Sequence, residues 1–278
     1  MLKTILIGLD GTRDSDPALE YGLQLAKRFD TLVVGCGVVD EPGVRVSEAT
    51  LFAEGYFAAG STSMLSDARR AAKQTLDHFS TKCQRAGVRS RSLLDSGTPH
   101  VQIVAEAHRH DLVVLGCHTH FELGWRGSDD ATLQHVLQEC ARPVIVVPSG
   151  STASVDGPIV LAFDGSVRAS RALYDLVASG IGRGRSIHIL SIDRDAAVAN
   201  RVAARAVDFL RHHEIEATPH AFDGAFPAAE VVLGSVERLS ATMLVIGAYA
   251  HTAFREFFLG STTRSVMTRA AVPVFCSR

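Results

Sequence analysis

Thr4-Ile5-Leu6-Ile7-Gly8-Leu9-Asp10-Gly11-Thr12 returns later in the chain as Pro158-Ile159-Val160-Leu161-Ala162-Phe163-Asp164-Gly165-Ser166. Each copy is a β-branched apolar run that stops at Asp-Gly and a hydroxyl residue. Each then gives way to a segment of helical period, residues 17–29 and 169–181. Working outward, Leu32 to Val39 ending in Asp40 recurs as Ile187 to Ile192 ending in Asp193, and Leu112-Val113-Val114-Leu115-Gly116 recurs as Leu244-Val245-Ile246-Gly247. Ala141-Arg142-Pro143-Val144-Ile145-Val146 is answered by Ala271-Val272-Pro273-Val274-Phe275. The offset between copies falls from 154 to about 130, so the second copy lacks roughly two dozen residues, mostly between its second strand and second helix.

The apolar runs are continuous rather than alternating, the mark of strands buried on both faces of a parallel sheet. The sequence therefore predicts an α/β fold: two tandem, doubly wound, Rossmann-like units, each a five-stranded parallel-type sheet with helices on both faces. Right-handed crossovers place the loops after the first and fourth strands on one carboxyl edge, where ligands of open sheets collect. That geometry joins Asp164 to Gly260. The stretch Pro148 to Gly157 is small and polar and reads as a linker, with domains at residues 1–149 and 156–278 and the boundary near residue 153.

With 278 residues, 46% hydrophobic and 21% charged, the chain is long enough for two ordinary cores. A net charge of −2 gives no electrostatic reason to expect nucleic acid or an anionic membrane as partner. The apolar start at Ile5 to Leu9 is short for a signal peptide, and no run approaches the ~18 apolar residues of a membrane span, so cytoplasm is the expectation. Five cysteines without a C-x-x-C pair suit reduced, mostly buried thiols.

The fourth strand of the second copy runs Met243-Leu244-Val245-Ile246 into Gly247-Ala248-Tyr249-Ala250-His251, and Gly260-Ser261-Thr262-Thr263 opens an amphipathic segment. This reads as strand, loop, and a helix whose first turn carries hydroxyls. Gly247 and Gly260 would let backbone approach a ligand, and the free N–H groups of the helix start favour an anion by about 0.3–1 kcal/mol. No lysine follows Gly260, so phosphates would rest on backbone and hydroxyls, unlike a Walker A loop.

Gly247, two residues, Ala250, nine residues, then Gly260-Ser261 resembles the Gly-x2-Gly-x9-Gly-Ser/Thr signature of ATP-binding universal stress proteins, and the duplication extends the likeness over the whole chain as a tandem type. Ala250 stands where the family pattern has its second glycine; at positive φ its methyl would cost about 1 kcal/mol or more and tighten the pocket. The resemblance implies an adenine-nucleotide alpha-hydrolase-like fold, with ATP, with or without Mg, as the cofactor. It places Asp164, and Asp10 in the first copy, beside adenine and ribose, and Ile192 against the base. The residues expected at the nucleotide are Ala162, Phe163, Asp164, Gly165, Ser166, Ile192, Ile246, Gly247, Ala250, His251, Gly260, Ser261, Thr262 and Thr263. Asp-Gly-Ser is equally a common turn or cap, and Ile192 would look the same as a core residue. The resemblance also implies that the terminal strands of the two copies pair inside one chain as a pseudo-dimer, with a homodimer of chains beyond that.

In the first copy, Ser128-Asp129-Asp130 stands where the phosphate hydroxyls would be, so this half is expected to bind no ATP in the same mode. Cys117, His118 and His120 with Asp129 and Asp130 fit no standard zinc spacing, and no metal ligands are assigned. His108, His110, His212 and His213 read as cations at helix C-terminal ends. Phe121, Trp125, Phe254, Phe257 and Phe258 suit a lid or packing, Arg255 and Arg264 are the cations nearest the phosphates, and the segment Glu41 to Ser63 suits a flap or an interface. No nucleophile elbow or Asp-rich phosphoryl-transfer loop is present, so the expectation is a binding switch with an unknown protein partner, and at most slow hydrolysis. Two alternatives stay open: a nucleotide-independent interaction protein with both sites degenerate, and an adenylate-handling α/β enzyme such as a nucleotidyl transferase.

Overall fold

A computed structural model of the chain describes residues 1–12, 15–53, 62–119, 121, 132–247 and 261–278. The chain divides into two compact units, Lys3–Ala141 and Arg142–Arg278, the second including Met1–Leu2.

The first unit runs β1 (Thr4–Gly8), α1 (Asp16–Phe29), β2 (Leu32–Val39), α2 (Glu41–Ala53), α3 (Thr62–Ala86), β3 (Ser90–Ser96), α4 (Pro99–Ala107), β4 (Leu112–Gly116) and α5 (Thr132–Glu139). Its strands are parallel in the order β3-β2-β1-β4, with Ile5 opposite both Val33 and Leu112. All five residues of β4 are buried, as a strand covered on both faces by crossover helices requires. The segment after β2 is helical where it is described. α2 is helical from Glu41, begun by Asp40 Oδ1 accepting from the Gly43 N–H at 3.1 Å, and Val44 buries against Val39, Ala68 and Ala72. In the second unit the cognate connection is only residues 193–195, which locates the missing two dozen residues between the second strand and second helix, as the sequence offsets required.

The second unit runs β5 (Val144–Val147), β6 (Ile159–Ala162), α6 (Val167–Ser179), β7 (Ile187–Ile192), α7 (Ala196–His212), β8 (Ala217–Phe222), α8 (Ala228–Arg238), β9 (Met243–Gly247), α9 (Ser261–Arg269) and β10 (Val274–Ser277). The strand order is β5-β10-β9-β6-β7-β8, all parallel except β5 with β10. The two terminal strands therefore pair as expected, antiparallel, with Phe275 opposite Ile145. Each repeat supplies five strands, and the fifth strand of the first repeat lies in the second compact unit.

The connection between repeats is anchored at its far end. Val155 is buried, Thr242 Oγ1 donates to the Asp156 carbonyl at 2.7 Å, and the buried Arg185 donates from Nε to the Gly157 carbonyl at 2.7 Å and from Nη2 to Thr242 Oγ1 at 2.8 Å. A weakly apolar stretch thus ends in a built corner. No helix among the described residues is long and apolar enough to cross a membrane. None of the five cysteines is in a disulfide, and all but Cys117 are buried.

Under β2, the Cys36 thiol is pushed up to about 12 by burial, with the charges of Asp95 and Glu106 adding to it. Asp95 is raised above the usual carboxylate range, chiefly by burial and then by Glu106, and its Oδ2 is a buried acceptor without a hydrogen bond. Because the folded state holds this proton more tightly than the unfolded chain, ionisation costs stability above the folded pKa and the cost vanishes below the ordinary aspartate value of 3.8. Asp95→Asn should therefore be more stable than the parent at pH 8, by on the order of 1 kcal/mol, with the gap closing at acid pH. Urea unfolding at both pH values checks this; a gap independent of pH would exclude the carboxylate as its source.

Candidate functional site

At the carboxyl edge of the second unit a cavity of about 190 Å³ opens between β6, β7, β9 and the helices α6, α8 and α9. Its walls are apolar: Leu190 and Ile192 from β7, Ile246 from β9, Val232 from α8 and Val266 from α9. Ala162 and Phe163 continue β6 into it, with Asp164 and Ser166 on its lining. The polar residues are fixed by the turn that starts α6. Asp164 Oδ1 accepts from the Ser166 N–H at 2.9 Å, Gly165 takes φ +76°, and Ser166 Oγ caps the helix by accepting from the Ala169 N–H at 3.2 Å. The turn reading of Asp-Gly-Ser is thus correct for one oxygen. Asp164 is exposed, and among the described residues its Oδ2 makes no hydrogen bond, so a second acceptor remains at the cavity.

Gly247 plays a different part from the one its position implies. A Cβ there would lie 2.6 Å from the Ala169 nitrogen and 2.6 Å from the Arg168 carbonyl carbon. Its missing side chain serves the docking of β9 on the first turn of α6, although the residue also lines the cavity. Ser191 Oγ donates to the Phe163 carbonyl at 2.6 Å and fixes the ends of β6 and β7 together. Outside the cavity, Arg269 of α9 grips Glu230 of α8 in a two-pronged ion pair, one prong being Nη2 to Oε2 at 3.0 Å, and the guanidinium holds that carboxyl below its usual range.

Seven of the residues singled out in the sequence, Ala162, Phe163, Asp164, Ser166, Ile192, Ile246 and Gly247, surround one cavity, and Gly165 forms the turn beside it. Ser261, Thr262 and Thr263 form the first turn of α9. Ala250, His251 and Gly260 lie outside the described residues, as do Phe254, Arg255, Phe257 and Phe258. Leu190, Ala228, Val232 and Val266 were not anticipated at the cavity, since apolar residues on core-facing strands and helices carry no signal that separates a ligand wall from a core.

The first unit builds the same turn and roofs it differently. Asp10 Oδ1 accepts from both the N–H and the Oγ1 of Thr12 at 2.8 Å, with Gly11 at φ +79°. Thr75 of α3 stands over it, its Oγ1 2.5 Å from where a Gly11 Cβ would sit, and the adjoining cavity of about 410 Å³ is lined by Asp16, Gln74 and His78 as well. Phe121 is buried, so in this unit the loop aromatic packs inward. Cys117 is half-buried and His118 exposed, while His120, Trp125, Ser128, Asp129 and Asp130 lie outside the described residues. His108 caps α4, and α7 ends at His212 with His213 as its cap, but His110 corrects the dipole reading: it is buried, and burial lowers its pKa, so it sits in the fold as a neutral ring.

The model of the universal stress protein family matches residues 1–148 and 157–278. The chain belongs to that family. Universal stress protein Slr1230 of Synechocystis sp. is 21% identical over 294 residues and is covered along its full length, as is this chain. A universal stress protein from Archaeoglobus fulgidus DSM 4304 superposes with a TM-score of 0.72 at 21% identity, covering 99% of this chain and 96% of that one. A functionally unknown protein from Pseudomonas aeruginosa PAO1 gives 0.59 at 14% identity, over 99% and 92%. The match along both repeats makes this a tandem universal stress protein with the expected α/β fold.

Because the Gly247 contact is backbone against backbone, no rotamer change relieves a larger residue there. Gly247→Ala should cost about 1–3 kcal/mol of stability by overpacking, and Ser166→Ala about 1 kcal/mol by loss of its cap. Urea unfolding of the two variants checks both; a neutral Gly247→Ala would show that β9 can draw away from α6.

Proposed function

We propose that the second repeat binds an adenine nucleotide, ATP with or without Mg, and that this tandem universal stress protein acts as a nucleotide-dependent stress-response switch with little or no hydrolysis. The observation that carries the reading is the cavity itself: apolar walls, a fixed carboxylate on the lining, and a helix that begins at Ser261 contributing its Val266 to the wall. The base packs between Ile192, Ile246 and Val232, where burial of a ring is favourable at roughly 25 cal/mol per Å². Asp164 Oδ2 accepts from a ribose hydroxyl or the adenine amino group. At about 190 Å³ the cavity is below the roughly 300–1,000 Å³ of a complete small-molecule site, so the phosphate chain extends beyond it. The first turn of α9 offers free amides and three consecutive hydroxyl residues for that chain.

Asp164 is bound by one oxygen into a turn, which suits recognition and not a mobile general base. Phosphate contacts would bear on α9, which Arg269 ties to α8, so occupancy is read on the α8–α9 surface.

Nucleotide released on denaturing the purified full-length protein, together with Mg-ATP titration calorimetry, tests this directly. The wild type should bind, while Ile192→Asp and Gly260→Asp each lose about tenfold or more in affinity, equivalent to 1.4 kcal/mol. No released nucleotide and no heat at millimolar ATP would overturn the reading in favour of an interaction protein, and rapid turnover would favour an enzyme.

A further inference from the structure

Away from the nucleotide cavity, α4 and α5 of the first unit bring together His100, His135 and Glu139. One ligand-capable atom from each lies within 4.8 Å of the other two. The convergence follows from helix geometry. His135 and Glu139 are one turn apart on α5 and so share a face, with Nδ1 and Oε1 3.5 Å apart; His100 follows Pro99 in the first turn of α4 and lays its ring on that of His135, centroids 4.4 Å apart and planes inclined by 21°. We propose that these three side chains form a binding site for a divalent transition ion of the zinc class.

The donor set fits that ion. Two imidazole nitrogens and one carboxylate oxygen are borderline ligands bonding zinc at about 2.0–2.2 Å, and three protein ligands leave a fourth position for water or another donor. In a tetrahedral site such ligand atoms stand roughly 3.4 Å apart, so closure from the observed spacing needs side-chain rotations that open the stacked rings, with no change of backbone.

Helix electrostatics point the same way. Glu139 closes α5, whose last turn carries no basic residue, so its charge faces the negative end of its own helix. A divalent cation would answer the Glu139 carboxylate and both imidazoles at once. Its binding would clasp α5 to α4 and stabilise the first repeat by mass action.

Zinc chloride titrated into chelator-stripped, untagged, full-length protein is the test. One zinc per chain is expected, with a raised melting temperature and with the ring NMR signals of His100 and His135 moving. His100→Gln, His135→Gln and Glu139→Gln should each weaken binding by tenfold or more, while Cys117→Ser with His118→Gln leaves it intact. Circular dichroism in chelator confirms that each variant is folded; Glu139 is exposed, so its variant reports even if a histidine variant does not fold. Zinc uptake unchanged in these variants, uptake lost instead in the Cys117 and His118 variant, or no uptake at all would overturn the site.

Discussion

Nothing larger than a hydrogen fits between the end of β9 and the first turn of α6. With a Cβ on Gly247 confined to 2.6 Å from backbone atoms, the strand and the helix meet main chain to main chain, and the carboxyl ends of β6 and β9 are held at a fixed separation. The rest of the site is built on that contact. α6 can start where it does because Asp164, Gly165 and Ser166 turn the chain and cap it, and the same turn leaves one carboxylate oxygen facing outward. β7 is drawn to the same level by Ser191, and α8 and α9 close the far side through Arg269 and Glu230. A cavity arises because strands buried on both faces have only their ends left open.

The two repeats share this turn and diverge above it. A Cβ on Gly165 would meet Val202 of α7 at 3.5 Å, an ordinary contact, whereas one on Gly11 would be pressed by Thr75 of the longer α3. The first cavity keeps apolar lining from Leu19, Val38 and Phe121 but adds Asp16, Gln74, Thr75 and His78, which have no counterpart in the second. Duplication preserved the backbone device and left the chemistry over it free to change.

Much of this architecture is written plainly in the sequence. Parallel strands covered on both faces must be continuous apolar runs, so their recurrence exposes the repeat, and a slipping offset marks the inserted segment. The pairing of β5 with β10 was implied by the likeness to universal stress proteins, since two short apolar terminal strands say only that each needs a neighbour. Other features have no one-dimensional signature. α2 carries Pro42, Gly43 and β-branched residues that mask its helicity, and it is held by Val44 docking on α3. A glycine at a strand end looks the same whether it makes room for a ligand or, like Gly247, for a helix. His110 reads as a terminal cation until its burial is seen. His100 and His135 belong to different helices, and only the packing of α4 on α5 brings their rings together.

The corner at Arg185 bears on how the protein can be taken apart. Its guanidinium is buried and relies on the Gly157 carbonyl and on Thr242, which in turn holds the carbonyl of Asp156. A C-terminal fragment that starts after Gly157 would remove the carbonyl that accepts from Arg185 Nε and leave β10 without the strand at its outer edge. The smallest autonomous piece of the second repeat therefore reaches back through the connection to β5, and the natural scissor point lies before Arg142, upstream of the stretch whose composition looks most like a hinge.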